Sequence, residues 1–493
     1  MPEEGRRFKV ITAKKCRKPG RSLQVIFPQG DFERMAADFA AQEQSGCEGY
    51  AVALCGIKPG ADKRSAAYMV RSLHIPGKGD LIDHSSVSVT PSADFMEAVL
   101  ARAMERQSSV LEIHTHPGSP APSFSSVDLD HGEDNGRFLK SCRTGFVMLV
   151  IGSEGFTIME YDGESDCLLT PEAATITLLT RAGATDLFPQ LKKPETEELP
   201  PTVDRQLHIW GDACQRKIQT ITAGIAGLGG TGSVLLQMLV RVGVKKFVLC
   251  DPDDLELSNL SRLPYAFKDD AGRKKVRVAA GYVKRVTGDA VVKMITRPVQ
   301  DARESFQGCD VLFGCTDNDG ARLALNEISL KYFVPYIDTG TEIFVDDGRV
   351  RDMGGQVRVI VPGVTGCLEC AEAIDHDRAA AALLSPDEAS LRNAAGYVNG
   401  TGLSPAPAVI TLNTIIASMA SQEFVDMIAR RDRHSAGNYY LYDATVPRIE
   451  RFSIERKLDC PMCGREGICG MGDLPKAARS RVKTIAAPDG KSL

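Results

Sequence analysis

Two short strings in this 493-residue chain hold residue types that do chemistry. The first is LEIHTHPGSPAPSFSSVDLD, with His114 and His116 two positions apart and Asp128 downstream. Side chains two apart on a strand share a face, so both imidazoles reach one ion. Two histidines and a carboxylate leave a fourth zinc position for water, as a catalytic zinc centre requires. A lone His-x-His is more often a pair of ordinary polar strand residues; the full string shifts the weight to a metal. The second string is GIAGLGGTGS, in which Gly227, Gly229 and Gly232 fit G-x-G-x-x-G between an apolar strand and a helix. Such glycines permit a tight turn and let phosphate approach backbone amides at a helix N-terminus. Asp251 ends the next apolar run, 19 residues after Gly232, where a carboxylate holds ribose hydroxyls. By itself this pattern predicts a dinucleotide-binding fold with NAD as the default ligand.

The residues that follow argue for a different ligand. DPDDLELSNLSR, GRKK and FGCTDNDGAR bring Asn259, Arg262 and Lys275 into one unit. A dehydrogenase has no use for those cations; a site that stabilises departing pyrophosphate does. Asp317 follows a later apolar strand and is placed to meet magnesium, which takes one or two carboxylates plus phosphates. Cys367-Leu-Glu-Cys370 and Cys460-Pro-Met-Cys463 supply four thiolates, a strong signal for a closed structural zinc site. Four free buried thiols are the plainer alternative.

His-Thr-His-Pro, eight residues, then Ser-x-x-Asp resembles the signature of the JAB/MPN (JAMM) zinc metalloproteases, over roughly residues 30–165. The resemblance implies a mixed α/β, cytidine-deaminase-like domain with His114, His116 and Asp128 as zinc ligands and Ser125 as oxyanion stabiliser. It also implies a glutamate general base before an early strand. In CEGYAVALCG that is Glu48, with Glu43 in reserve as a residue whose plainer role is a surface helix. Glu112 shares the ligands' strand face and reads as supporting or structural, and His131 as a solvated helix residue.

From about Asp204 to Cys463 the chain closely resembles the ThiF/MoeB and ubiquitin-activating-enzyme superfamily. That implies a Rossmann-like domain with a structural zinc. Gly227, Gly229, Gly232 and Asp251 would hold ATP, with Asp253 a further contact. Asn259, Arg262 and Lys275 would meet the phosphates, and Asp317 magnesium. Arg205 in DRQLHIWG matches the arginine that reaches into a partner subunit's ATP site, which implies a homodimer; Gln206, Gly211 and Gln215 fit the same pattern. Arg322 and Asn326 match too, as fold-supporting residues. The reaction implied is attack of a carboxylate on the α-phosphate of ATP, giving an acyl adenylate and pyrophosphate. Many relatives carry a thioester-forming cysteine beyond the first zinc knuckle, but no cysteine lies between Cys370 and Cys460 here.

These motifs need elements to position them. The sequence predicts helices over 31–41, with Asp31 as N-cap, and over 94–106. It predicts strands over 50–56, 110–116 and 146–151, then strand, glycine turn, helix and strand over 222–251, an alternation that makes a parallel sheet. The expected domains are 1–175, a linker over 176–203 centred on LKKPETEELPPT, an adenylation domain over 204–468, and a flexible tail over 469–493. A formal charge of −5 argues against nucleic acid, and no apolar run spans a membrane. Ten of the 14 cysteines are scattered, which fits a reduced cytoplasm.

Together these readings predict a bifunctional enzyme. Its zinc peptidase half would trim or deconjugate a ubiquitin-like or sulfur-carrier protein, and its second half would adenylate the exposed Gly-Gly end, with a conjugating enzyme as a possible further partner. Adenylation of a peptide or small carboxylate, or a scaffold with one inactive half, are the alternatives. Conjugation, sulfur transfer and anti-phage defence all accommodate this pair.

Overall fold

The computed structural model describes residues 20–60, 64–188, 199–382, 407–429 and 437–473. The first unit is a nine-stranded mixed sheet. In chain order its elements are β1 (Ser22–Pro28), α1 (Gln29–Gln44), β2 (Tyr50–Pro59), β3 (Ser65–His74), the small hairpin β4 (Leu81–His84) and β5 (Val89–Pro91), then α2 (Ala93–Glu105) and β6 (Ser109–His114). After these come α3 (Ser126–Ser141), β7 (Phe146–Ile151), β8 (Phe156–Asp162), β9 (Cys167–Leu169), β10 (Ala174–Thr180) and β11 (Gly183–Asp186). The large sheet runs β11-β10-β1-β3-β2-β6-β7-β8-β9.

Side-chain alternation along β2 explains its two-sided burial. Ala51, Ala53 and Cys55 face a core shared with Met35 and Phe39 of α1. Tyr50, Val52 and Leu54 face Val99 and Ala103 of α2 and Leu139 of α3. On β1 and β3 the face away from α1 turns Ile26, Ala67 and Met69 into the core of the second unit.

That second unit is an eight-stranded sheet. Its elements are α4 (Asp204–Thr220), β12 (Thr222–Ala226), α5 (Gly230–Val242), β13 (Lys246–Cys250), α6 (Lys275–Val286), β14 (Val291–Ile295), β15 (Val311–Gly314) and α7 (Asp319–Tyr332). They continue with β16 (Tyr336–Asp346), β17 (Arg349–Ile360), α8 (His376–Ala382), α9 (Ile410–Ala429), β18 (Tyr439–Asp443) and β19 (Arg448–Phe452). The order β14-β13-β12-β15-β16-β17-β18-β19 is parallel as far as β16 and antiparallel beyond. Strand order reverses between β12 and β15, the crevice where doubly wound sheets bind ligands.

Several expectations need correction. The range 176–203 is not all linker: β10 pairs parallel with β1, so the first sheet runs to Asp186. Residues 189–198 of the expected linker lie outside the described residues. The expected tail is docked at its start. Cys469 is buried, the Gly470 and Gly472 N–H groups donate to Leu330 and Lys331, and the Asp473 N–H donates to Ile57 at 2.9 Å. The rest, 474–493, lies outside the described residues. Helix α1 begins two residues early, with Pro28 at the N-cap and Asp31 in the first turn, where a carboxylate suits the helix dipole. Among the described residues twelve cysteines are free thiols and Cys167 is disulfide-bonded. Among the described residues no helix is long and apolar enough to cross a membrane.

Candidate active sites

Strand β6 ends at His114, two residues sooner than the pattern predicts. Opposite Thr115, the Gly49 N–H donates to the threonine Oγ1 at 2.8 Å in place of its carbonyl, while the Thr115 N–H still donates to the Gly49 carbonyl at 3.1 Å. Pro117 then has no N–H with which to continue the ladder. His116 nevertheless stays on the side of His114, with ring centroids 5.1 Å apart. Asp128 lies in the first turn of α3. Ser125 is the N-cap: its Oγ accepts from the Asp128 N–H at 3.2 Å, and Asp128 Oδ2 accepts from the Ser125 N–H at 2.7 Å. This reciprocal capping box fixes the carboxylate that meets the histidines. Asp128 Oδ1 lies 3.6 Å from His114 Nε2, and its Oδ2 lies 3.4 Å from His116 Nε2. Burial raises the Asp128 carboxyl, but His114 and the Ser125 cap outweigh it and hold the group well below its ordinary value.

The donor set fits a metal. One ligand atom from each of His114, His116 and Asp128 lies within 4.8 Å of the others. His114 Nε2 is buried with no hydrogen-bond partner, an arrangement a native core rarely tolerates without a ligand. The register of β2 on β6 pairs Tyr50 with His114, so Glu48 falls opposite His116 on the same face. Glu48 is buried, and burial raises its carboxyl against the pull of His114. Glu43 lines a cavity of about 390 Å³ together with Phe32, Phe39 and His116, and accepts from the Gly118 N–H at 3.3 Å. Glu112 is tied to Tyr50 Oη at 3.0 Å and Asn135 at 3.3 Å, a structural role. His131 is exposed and pairs with Asn135.

In the second unit, the glycine turn connects the end of β12 to α5. Gly227 has φ +89°, and a Cβ on Gly232 would stand 1.9 Å from the Gly227 carbonyl oxygen, so both positions demand glycine. Gly229 caps α5, and a Cβ there would meet nothing within 4 Å. Asp251 is buried at the end of β13, its Oδ2 accepting from the Leu228 N–H at 2.7 Å and its Oδ1 from the Asp253 N–H at 2.9 Å. Burial raises its carboxyl, opposed by Lys275 at 3.9 Å. Lys275 Nζ also holds Asp253 Oδ2 at 2.7 Å. Arg262 packs over the turn, its Cδ 3.2 Å from where a Gly230 Cβ would be. Asn259 is buried, with Oδ1 capping its own turn through the Glu256 N–H. Asp317 is exposed in the β15–α7 turn. Glycine turn, Asp251 and Asp317 thus stand at the ends of adjacent strands.

Arg205 is not brought to this site. It is exposed at the start of α4, and its neighbour Gln206 donates to the Arg241 carbonyl, at the far end of α5 from the glycine turn. The two ends of that 13-residue helix are about 18 Å apart. Gln215 is fully buried between Trp210 and the Val242 carbonyl, and Gly211 has φ +75° at a kink in α4. Arg322 binds Asp338 and the Ala373 carbonyl, and Asn326 Oδ1 accepts from the Leu368 N–H in the first cysteine knuckle. Both therefore brace the fold.

Cys367, Cys370, Cys460 and Cys463 are buried with their sulfurs within 4.8 Å of one another. Separations of 3.8 Å (Cys367–Cys460) and 3.3 Å (Cys370–Cys463) are far beyond a disulfide and match thiolates around one tetrahedral zinc. Sequence reasoning missed Asn413, a buried amide on α9 beside Gly230. Its signal was a lone asparagine within the apolar run Ile410–Ile416.

A doubly wound sheet with a glycine turn and a buried acid at its switch point defines a nucleotide-binding α/β protein. The sequence profile of the ThiF family matches residues 203–462, just over half the chain. The chain belongs to the ThiF family. It is similar to ubiquitin-like modifier-activating enzyme 5 of Drosophila mojavensis, 31% identical over 169 residues that cover 31% of this chain and 40% of that protein. The Gallus gallus enzyme of the same name is 30% identical, with 31% and 41% covered. The chain thus spans about two fifths of the length of these relatives. Among solved structures it is similar to E. coli MccB with ATP, at 22% identity and TM-score 0.42, covering 54% of this chain and 75% of that one.

Proposed function

We propose that the second unit activates a carboxylate by adenylation with ATP, and that the first is a zinc peptidase acting on the same class of substrate. The observation that carries the adenylation reading is the convergence of the glycine turn, buried Asp251, Lys275 and Arg262 at one switch point. A carboxylate oxygen attacks the α-phosphorus, the bond to the bridging oxygen breaks, and pyrophosphate leaves. Lys275 and Arg262 would neutralise the departing charge, with Asn259 as a neutral donor beside them and Asp253 near the ribose. Asp317 would contact the magnesium that accompanies the phosphates. Arg205 would complete the site of a second copy, because it is remote from its own glycine turn.

The peptidase reading rests on the orphaned Nε2 of His114 beside His116 and Asp128. These three would hold zinc, which supplies Lewis acidity towards a scissile carbonyl. Glu48 would take the proton from the attacking water, and Ser125, while capping α3, would donate its hydroxyl hydrogen to the developing oxyanion. The substrate we favour is a ubiquitin-like or sulfur-carrier protein, trimmed or deconjugated to a Gly-Gly end and then adenylated in the same cytoplasmic polypeptide.

A peptide or small carboxylate is the second reading, and one observation favours it. No cysteine between Cys370 and Cys460 is available to accept the acyl group. Burial pushes the Cys315 thiol up to about 12 and the Cys469 thiol up to about 11, so neither is a ready nucleophile. The test is intact-mass spectrometry of a ubiquitin-like protein with a short extension beyond Gly-Gly, incubated with the full chain, ATP and magnesium. Trimming that His116→Ala blocks, together with an Asp317→Ala variant that still trims but no longer adenylates, supports the two-step reading. No reaction of either form, with pyrophosphate exchange on a peptide, transfers the assignment to peptide activation.

A further inference from the structure

We propose that Asn413 is a binding residue of the nucleotide site and that its amide donates to a phosphate oxygen of ATP; this rests on the adenylation reading above. Asn413 lies in the first turn of α9 and is only 2% exposed. Its Oδ1 accepts from the hydroxyls of Thr231 and Thr341, each at 3.3 Å. Those two hydroxyls come from α5 and β16 and fix the orientation of the amide. The opposite end, Nδ2, is buried and has no partner. An unpaired buried donor is costly, so a ligand atom that meets the free end of this amide gains a hydrogen bond the fold leaves unmade.

The direction of that donor identifies its acceptor. A Cβ on Gly230 would stand 2.1 Å from Asn413 Nδ2 and 3.2 Å from Arg262 Cδ. Only glycine at 230 lets the amide and the arginine close on the first turn of α5. That turn offers the N–H groups of Gly230, Thr231 and Gly232, which precede the first intrahelical bond, from the Ser233 N–H to the Gly229 carbonyl at 2.9 Å. The polar groups that the turn leaves unpaired there are donors, backbone amides and a primary amide, with the Arg262 side chain packed beside them and its Nη1 donating to the Ser258 carbonyl at 3.3 Å. The matching ligand is an anion with several oxygens. Phosphate is favoured over the acyl carboxylate because Asp251, which binds the Leu228 N–H in the same turn, places the ribose of one molecule within reach.

The experiment is calorimetric titration of the full chain with ATP and magnesium, then with AMP and with inorganic pyrophosphate, for wild type, Asn413→Asp and Asn413→Leu. Asn413→Asp keeps the acceptor for both threonines but replaces the donor with an oxygen facing the phosphate. Asn413→Leu keeps a side chain of similar size and removes the orphaned donor together with the acceptor of both threonine hydroxyls. Both are expected to weaken ATP at least about tenfold, the loss of one hydrogen bond to a charged group, while Asn413→Asp, which keeps both threonine bonds, holds its thermal midpoint near wild type. Loss shared with AMP assigns the amide to the α-phosphate, and loss shared with pyrophosphate to the β- or γ-phosphate; either supports the proposal. ATP binding within twofold of wild type in both variants overturns it. So does an effect confined to KM for the acyl substrate, which would mark a carboxylate donor. Failure of the wild type itself to bind ATP would instead overturn the adenylation reading on which this one stands.

Discussion

Alanine at Gly229 and alanine at Gly232 should separate two reasons for glycine in one loop. At Gly232 the new methyl carbon would stand 1.9 Å from the Gly227 carbonyl oxygen and 3.1 Å from Cys315 Cβ. An ordinary carbon–oxygen contact is about 3.3 Å, so the turn must move by roughly 1.4 Å. Overpacking of that kind costs about 1–3 kcal/mol. A displaced turn also loses one or two amide bonds to phosphate, at about 1.5–3 kcal/mol each, or about 10- to 150-fold in affinity. At Gly229 the new methyl meets nothing within 4 Å, and φ is −73°, which alanine adopts readily. Loss of a good N-cap is offset by the smaller entropy of the unfolded chain, so stability should stay within about 1 kcal/mol. The methyl nevertheless stands where phosphate must approach the backbone. The assay is thermal denaturation beside ATP titration. Gly232→Ala should lose both stability and affinity, and Gly229→Ala affinity alone. Undiminished ATP binding by Gly229→Ala would refute close backbone approach as the reason for that glycine.

Zinc content measured by plasma mass spectrometry should be two equivalents per chain for wild type and one for His116→Ala. Cys463→Ser should also lose one equivalent and lower the thermal midpoint, because its knuckle leads into the docked segment up to Asp473. Asp317→Ala should abolish pyrophosphate exchange with no change in thermal midpoint, since the side chain is exposed; a large fall in stability would contradict that placement. Gly56→Ala would put a methyl 2.0 Å from the Gly470 carbonyl and should cost about 1–3 kcal/mol and expose the chain after Cys469 to protease, with ATP affinity unchanged. Arg205→Ala mixed with Asp317→Ala should regain up to about a quarter of wild-type exchange if the site is shared between copies (random pairing leaves one intact site in half of the dimers); no recovery would remove the shared-site reading.

The residues themselves determined the local part of this protein. Glycine turn, strand and helix over 222–251 follow from short-range sterics and apolar periodicity, which the chain carries in contiguous residues. The Cys-x-x-Cys spacing determined that each knuckle could present two sulfurs on one side. Tertiary structure decided what contiguous residues do not encode. It made Ser125 and Asp128 a helix cap, and it set Glu48 opposite His116 through the pairing of β2 with β6, whose paired residues are 54 to 64 apart in the chain. It also drew β10 into the first sheet out of an apparent linker, because a strand's partner depends on which edge is free. The two units share a buried face at Ile26 and Met69, and Asn413 meets Gly230 across 183 residues. Such contacts arise from long-range packing of alternate faces, and no local period announces them.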